Sequence, residues 1–456
     1  MKIFKPADIM LPSCDMHRWS VVACDQFTSE PEYWQQVRSI VGDAPSTLHM
    51  MLPEAELGLK DPEAESVKIN ATMQRYIDEG VFKTYRNSYI YLERTLKNGA
   101  VRRGIMGMFD LEAYDWVEGT HSPIRATEHT VEDRLPPRIR IRRNAPLEMP
   151  HIMIFMDDAD NIVFSSVTKG EKVYDFELMQ DGGSITGWLV ADTEKLAKAA
   201  EKLGDEAVLQ RKYGSADNAI IFAMGDGNHS LAAAKRHWEK VKKTLPESEY
   251  ETAPARYALA ELVNIHDAAI TFEPIHKVVF DTEPETFFAE AKAFFADNIG
   301  EGRSIDLVTG EGIERLNISG LTIGELIGKC EDFCKAFTER HGGYIDYIHG
   351  DCECVEMSQR FGCAGILLPR MEKSELFSSV MKSGPFPKKS FSIGHGNDHF
   401  TGDLGECLRT LCVGCALSFL YIMPFGMSGH IKTAPLIVLL RINGNYFTTI
   451  PCPLQG

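Results

Sequence analysis

From Asn218 to Trp238 the chain reads NAIIFAMGDGNHSLAAAKRHW. A carboxylate (Asp226), an amide (Asn228), an imidazole (His229) and a hydroxyl (Ser230) follow one another there, set around Gly225 and Gly227. A carboxylate and an imidazole together can orient a metal-bound phosphate or move a proton. The glycines let the backbone approach a ligand closely. Ile220–Met224 is a continuous apolar run, the mark of a buried strand, and Leu231, Ala234, Trp238 and Val241 then recur at helical spacing. The pattern is strand, tight polar turn, helix. The first free N–H groups of such a helix would face an anion with the favourable end of the dipole. A plainer reading stands beside this one: Asp226, Asn228 or Ser230 as the N-cap, and His229 as a surface histidine.

A second polar cluster precedes it, IRATEHTVEDRLPPRIRIRRN, Ile124–Asn144. Arg125, Glu128, His129, Thr130, Asp133 and Arg134 lie close together, and Arg138, Arg140, Arg142 and Arg143 follow. Guanidinium groups present a rigid donor fork that suits phosphate or carboxylate. In that setting Glu128 is a candidate general base or metal ligand. The competing reading makes Arg-Ile-Arg-Ile the wet face of a half-buried strand and Glu128–Arg134 a solvated helix end.

The elements that must position these residues are legible along the chain. Asp61–Glu79 reads as an amphipathic helix with Val67, Ile69, Met73, Tyr76 and Ile77 on one side and Gly80 as its stop. Asn98-Gly99 joins Tyr89–Leu96 to Val101–Leu111 as a hairpin. His151–Met156 and Ile162–Val167 read as a second hairpin across Asp158–Asn161. Tyr257–Asn264 is a buried apolar run. His276, beside Pro274, is either a site residue or a satisfied structural histidine. Pro284–Phe295 and Thr322–Phe337 are helices. Cys330, Cys334, Cys352 and Cys354 have spacings that fit zinc poorly, so buried thiols are expected. Lys388 and Lys389 sit in a loop, Phe386–Phe391, that either meets a phosphate or is simply solvated.

Length and composition bound the function. The 456 residues, 44% hydrophobic and 25% charged, suit a globular chain of two to three domains or one large elaborated one. A net charge of -17 argues against a general nucleic-acid or anionic-membrane surface. The start has no apolar core of signal-peptide length, and eleven cysteines without a regular framework point to reduced thiols, so a cytoplasmic location is expected. From His399 to Gly456 the pattern changes, with five charged residues and none between Arg409 and Lys432. That tail reads as a frameshifted or recently appended segment, with a membrane anchor or a packed extension as the alternatives.

The Asp-Gly-x-His turn (Asp226, Gly227, His229) and the upstream Arg-x-x-Glu-x-Thr-x-x-Asp-Arg run (Arg125, Glu128, Thr130, Asp133, Arg134) resemble a bacterial and archaeal family. It is the one catalogued as domain of unknown function 1015, usually placed in the ParB/sulfiredoxin-like superfamily. Pro274–Lys277 and Pro387–Ser390 support the resemblance, which spans roughly Phe4 to Ile393. It implies a nucleotide site whose turn holds phosphates at a helix N-terminus, as in free-serine kinases that use ADP or ATP. Carried over, Glu128 would be the catalytic base, and Asp226 and His229 would serve the phosphate or its Mg²⁺. Arg125, Thr130, Arg134, Gly225, Gly227, Asn228, Ser230, His276 and Lys388 would line the nucleotide site. Two departures stand out. Asn228-His229-Ser230 replaces the family's usual His-His-Arg, and Thr127 replaces the usual histidine before the glutamate.

Together these readings give an α+β protein with mixed, partly antiparallel sheets and flanking helices. Residues 1–280 would hold the nucleotide-binding core, 281–398 a C-terminal α/β subdomain, and 399–456 the divergent tail. The expected function is a nucleotide-dependent phosphotransferase acting on a small hydroxyl-bearing metabolite. The rival is a non-catalytic nucleotide-binding regulatory or partition-like protein, with a sulfiredoxin-like redox enzyme behind it because no cysteine lies in Gly225–Ser230.

Overall fold

The computed structural model describes residues 2–23, 30–53, 56, 59–149, 152–393, 441–442 and 445–446. Most of the tail after Ile393 therefore lies outside the described residues, and so does the frameshift expectation. Arg441–Ile442 pairs antiparallel with Asn445–Tyr446 within a separate unit, Pro424–Gly456. Among the described residues no helix is long and apolar enough to cross a membrane.

The hydrophobic runs form two sheets. The larger has ten strands among the described residues. Within it the Phe222–Asp226 strand, the central strand of the strand–turn–helix unit, lies parallel to Ile124–Arg125 and antiparallel to Met153–Met156. Met153–Met156 is parallel to Tyr257–Asn264, which is antiparallel to Val101–Asp110. Val101–Asp110 closes the expected hairpin with Ile90–Thr95, turning at Gly99 with φ 82°. The sheet is thus mixed, and the fold is α+β.

The second sheet is antiparallel, built from Gly312–Ile318, Ile299–Thr309, Cys363–Leu367, Phe272–Phe280 and Tyr344–His349. Phe391–Ile393 adds to the start of Phe272–Phe280. One hydrophobic cluster joins the two layers, running from Phe155 and Ala223 to Phe287, Phe333, Ile366 and Phe386. Cys330 and Cys334 are buried within it, and burial pushes the Cys330 thiol up to about 12.

Three local readings need correction. Ile162–Ser165 is one helical turn rather than a strand, because both Asp158 carboxylate oxygens accept from the backbone, from Ile162 N–H at 2.9 Å and Val163 N–H at 2.8 Å. The Arg-Ile-Arg-Ile run is helical, Leu135–Arg143, since Pro136 and Pro137 supply the fixed φ that opens a helix. Val67 faces solvent at 64% exposure, whereas Ile69, Met73 and Tyr76 are buried.

Candidate functional site

Phe222, Ala223 and Met224 are fully buried, so the central strand delivers Gly225 and Asp226 to the edge of the sheet as a fixed point. The chain then reverses at Gly227, φ 84°, a backbone state that glycine adopts without penalty. A Cβ there would sit 3.2 Å from Ile152 Cγ1 and 3.3 Å from its Cα. The Asn228–Lys242 helix follows at once, packing Leu231, Ala232, Ala233, Ala234 and Trp238 against the core. Gly227 is its N-cap, a residue with no side chain to offer the first turn. The N-cap position that the plainer reading gave to Asp226, Asn228 or Ser230 is thus held by Gly227. Asp226 Oδ1 accepts from Gly227 N–H at 2.8 Å. The first-turn N–H groups lie at the positive end of the helix dipole.

The Glu128–Arg134 segment is brought to this helix end by four ties. Thr127 donates its hydroxyl to Met224 O at 2.8 Å. Its carbonyl accepts from Phe386 N–H, and His129 N–H donates back to Phe386 O at 3.1 Å. Val131 N–H donates to His229 Nε2 at 3.1 Å. Both Glu132 oxygens accept from Arg236 of the same helix at 2.8 Å. Glu128 is held between the central strand and the Phe386 loop, with which it forms a bridge.

Charge gathers at the same place. Burial, then Arg138, Arg134 and Lys388, push the His229 imidazole down to about 3. Burial also lowers Lys388, helped by Arg134 and Lys335 and opposed by Glu128. His229 is consequently neutral and uses Nε2 as an acceptor, so it is a half-buried structural group rather than a surface histidine. Two buried polar atoms, Thr130 Oγ1 and Asn228 Oδ1, have no hydrogen-bond partner. Such groups are costly to leave unpaired, and water or a polar ligand at the turn would supply their missing partners.

Two of the expected site residues lie elsewhere. Arg125 is buried with its guanidinium on Ser122 O (2.8 Å), Asn218 O (2.7 Å) and Asn218 Oδ1 (2.6 Å), before the central strand begins rather than at its end. His276 is buried in the second sheet, where Nδ1 accepts from Leu368 N–H at 3.0 Å and Nε2 faces Asp351 Oδ1 at 2.9 Å. Both are fully engaged in holding backbone or a neighbouring carboxylate. Arg138 was weighed in the sequence only as one of several arginines; it joins the site because the helix that starts at Leu135 lies along the Asn228–Lys242 helix.

Residues 5–356 match the family model described as "Protein of unknown function (DUF1015)". The chain belongs to that family. Both the turn and the Glu128 segment fall inside the matched range, whereas the Phe386–Lys389 loop lies beyond it. No curated protein matches the chain. Among solved structures it is similar to SbnI with C-terminal truncation from Staphylococcus aureus, at 10% identity, TM-score 0.32, covering 67% of this chain and 85% of that one. A conserved hypothetical protein from Pyrococcus furiosus gives 10% identity, TM-score 0.30, and coverage of 61% and 92%. A free serine kinase in complex with AMP gives 10% identity, TM-score 0.31, and coverage of 61% and 87%. Overlaps this loose transfer no residue's role to the DUF1015 chain.

Proposed function

We propose that this DUF1015 protein is a nucleotide-dependent phosphotransferase of the ParB/sulfiredoxin-like kind. It would work in the cytoplasm on a small hydroxyl-bearing metabolite, with ADP or ATP as the phosphoryl donor. One observation carries the reading: a helix N-terminus opened by Gly227 stands beside Arg134, Arg138 and Lys388, with Glu128 held there by its backbone bridge to Phe386 and its charge acting on Lys388. Backbone N–H groups and guanidinium forks are what phosphate oxygens require. A carboxylate within reach of that anion site can accept a proton from an attacking hydroxyl.

The residues fit a magnesium ion. Mg²⁺ takes one or two carboxylates and completes its shell with phosphate oxygens and water. The Asp226 carboxylate and the unpartnered Asn228 Oδ1 are oxygen donors of that kind. When bound, Mg²⁺ offsets phosphate charge. The chain's own contributions are separate: Gly227–Ser230 binds the phosphates, Arg134 and Arg138 stabilise the transferring group, and Glu128 takes the hydroxyl proton. His229 positions the segment carrying Glu128 through Val131.

Calorimetry with ADP, ATP and CTP in the presence of Mg²⁺ tests the reading. Wild type is expected to bind at least one of them and Asp226→Ala to lose that binding; a folded wild type that binds none would sink it. If nucleotide binds but no hydroxyl acceptor is phosphorylated, the non-catalytic regulatory reading takes its place.

A further inference from the structure

The Leu135–Arg143 and Asn228–Lys242 helices pack side by side, and a cavity of about 410 Å³ opens against both. It begins at the turn, where Ser230 and Arg138 form its walls. Ala233 and His237 continue the wall along the helix. Residues three and seven positions beyond Ser230 share its helix face, so this wall runs about 10 Å along the axis. Across from it the lining is apolar, with Ile141, Leu147, Met149 and Ile152. Pro254 and Ala255 form part of the rim.

Beyond Ser230 and Arg138, and Arg143, which pairs outward with Glu63 at 3.6 Å, the polar groups of the cavity are of two kinds. Arg142 donates to Glu148 Oε2 at 2.8 Å and to Tyr257 O at 3.2 Å, while Glu148 Oε1 accepts from Leu259 N–H at 3.2 Å. That pair is satisfied within the protein. No hydrogen bond ties His237 to another described residue. Burial, then Arg142, Lys240 and Arg143, hold its imidazole below the usual histidine range. A neutral imidazole offers one donor and one acceptor.

We propose that this cavity is the nucleoside subsite, taking the base and ribose of a nucleotide whose phosphates lie at the Gly225–Ser230 turn. The inference rests on the phosphate reading of that turn. Its size falls in the range of small-molecule sites, and like them it sets apolar walls beside polar groups at its edges. A flat heterocycle buries its faces on Met149, Ile152 and Ala233 and offers an edge or a ribose hydroxyl to His237. A purely anionic metabolite would leave those apolar walls without a counterpart. The cavity's continuity with the helix N-terminus gives a single molecule both a charged end and an apolar end to place.

The test compares ADP with inorganic pyrophosphate, each with Mg²⁺, on the full chain by calorimetry. Wild type is expected to bind ADP at least tenfold more tightly than pyrophosphate. Ala255→Trp, which fills the rim, is expected to weaken ADP at least tenfold and pyrophosphate less than twofold. His237→Leu is expected to weaken ADP about fivefold and leave pyrophosphate unchanged. If wild type binds pyrophosphate as tightly as ADP, or if both variants bind ADP as wild type does, the nucleoside assignment is overturned and the phosphate site stands. If wild type binds neither probe, the phosphate reading falls and this inference with it.

Discussion

His229 illustrates how one side chain couples stability to the site. Burial and the neighbouring cations push its imidazole down to about 3, well below the ordinary histidine value of 6.5. Between those values the unfolded chain binds a proton that the folded chain refuses, so stability is fully present above pH 6.5 and is lost as pH falls toward 3. The part of that window above pH 5 lies clear of ordinary carboxylates. Thermal melts from pH 7 to pH 5 should therefore fall in wild type and fall less steeply in His229→Gln, the remaining slope including lowered His237. An equal slope in both would remove His229 from the account. Glu128 makes a different prediction. Glu128→Gln keeps the size and the tie to Phe386 but cannot take a proton. It should retain nucleotide affinity within about threefold and lower kcat by about 10²–10⁴-fold, the usual range for a general base. A comparable loss of binding would recast Glu128 as a ligand to the phosphates or their metal.

At the scale of elements, the strand, turn and helix act as one device. Phe222–Met224 anchors it, Gly227 reverses it, and the alanines at 232–234 let the helix lie close to the sheet. Gly227→Ala would force a side chain into positive φ against Ile152. It should cost about 1–3 kcal/mol in denaturant unfolding and weaken nucleotide binding at the same time. Loss of stability with unchanged binding would separate the turn from the ligand. The Leu135–Arg143 helix shows the same logic in reverse. Its alternation of Arg and Ile has the period of a strand, yet two prolines at its start commit it to a helix. That places Arg138 beside His229 and sends Arg142 to Glu148.

Across the whole molecule, the C-terminal layer returns to the first sheet through Phe386. Its ring is buried at 1% exposure against Phe391, and its backbone holds Thr127 and His129 on either side of Glu128. Phe386→Ala should cost about 3–5 kcal/mol by the usual core truncation and lower turnover beyond what that stability loss explains at a temperature where the variant is folded. A net charge of -17 leaves the local cations of the turn as an exception on an acidic molecule. Fluorescence anisotropy with duplex DNA at low salt should show no binding, while nucleotide binds; salt-dependent duplex binding would restore the partition-like reading.

Sequence alone determined what short-range patterns encode. The apolar run Ile220–Met224, the glycines after it and the helical spacing beyond specify strand, turn and helix without reference to the rest of the chain, and Asn98-Gly99 specifies its hairpin. The family, too, was legible, because its motifs are local. Tertiary structure decided which residues meet. Arg125 and His276 carry suitable chemistry, but distant backbone at Asn218 and Leu368 engages them. Arg138, Thr127 and Phe386 enter the site through contacts spanning many residues. Asp158 turned an expected strand into a helix with its two oxygens. Hydrophobic periodicity is read within a few residues of itself, whereas a hydrogen-bond partner or a neighbouring charge is fixed only when the sheets and helices have packed.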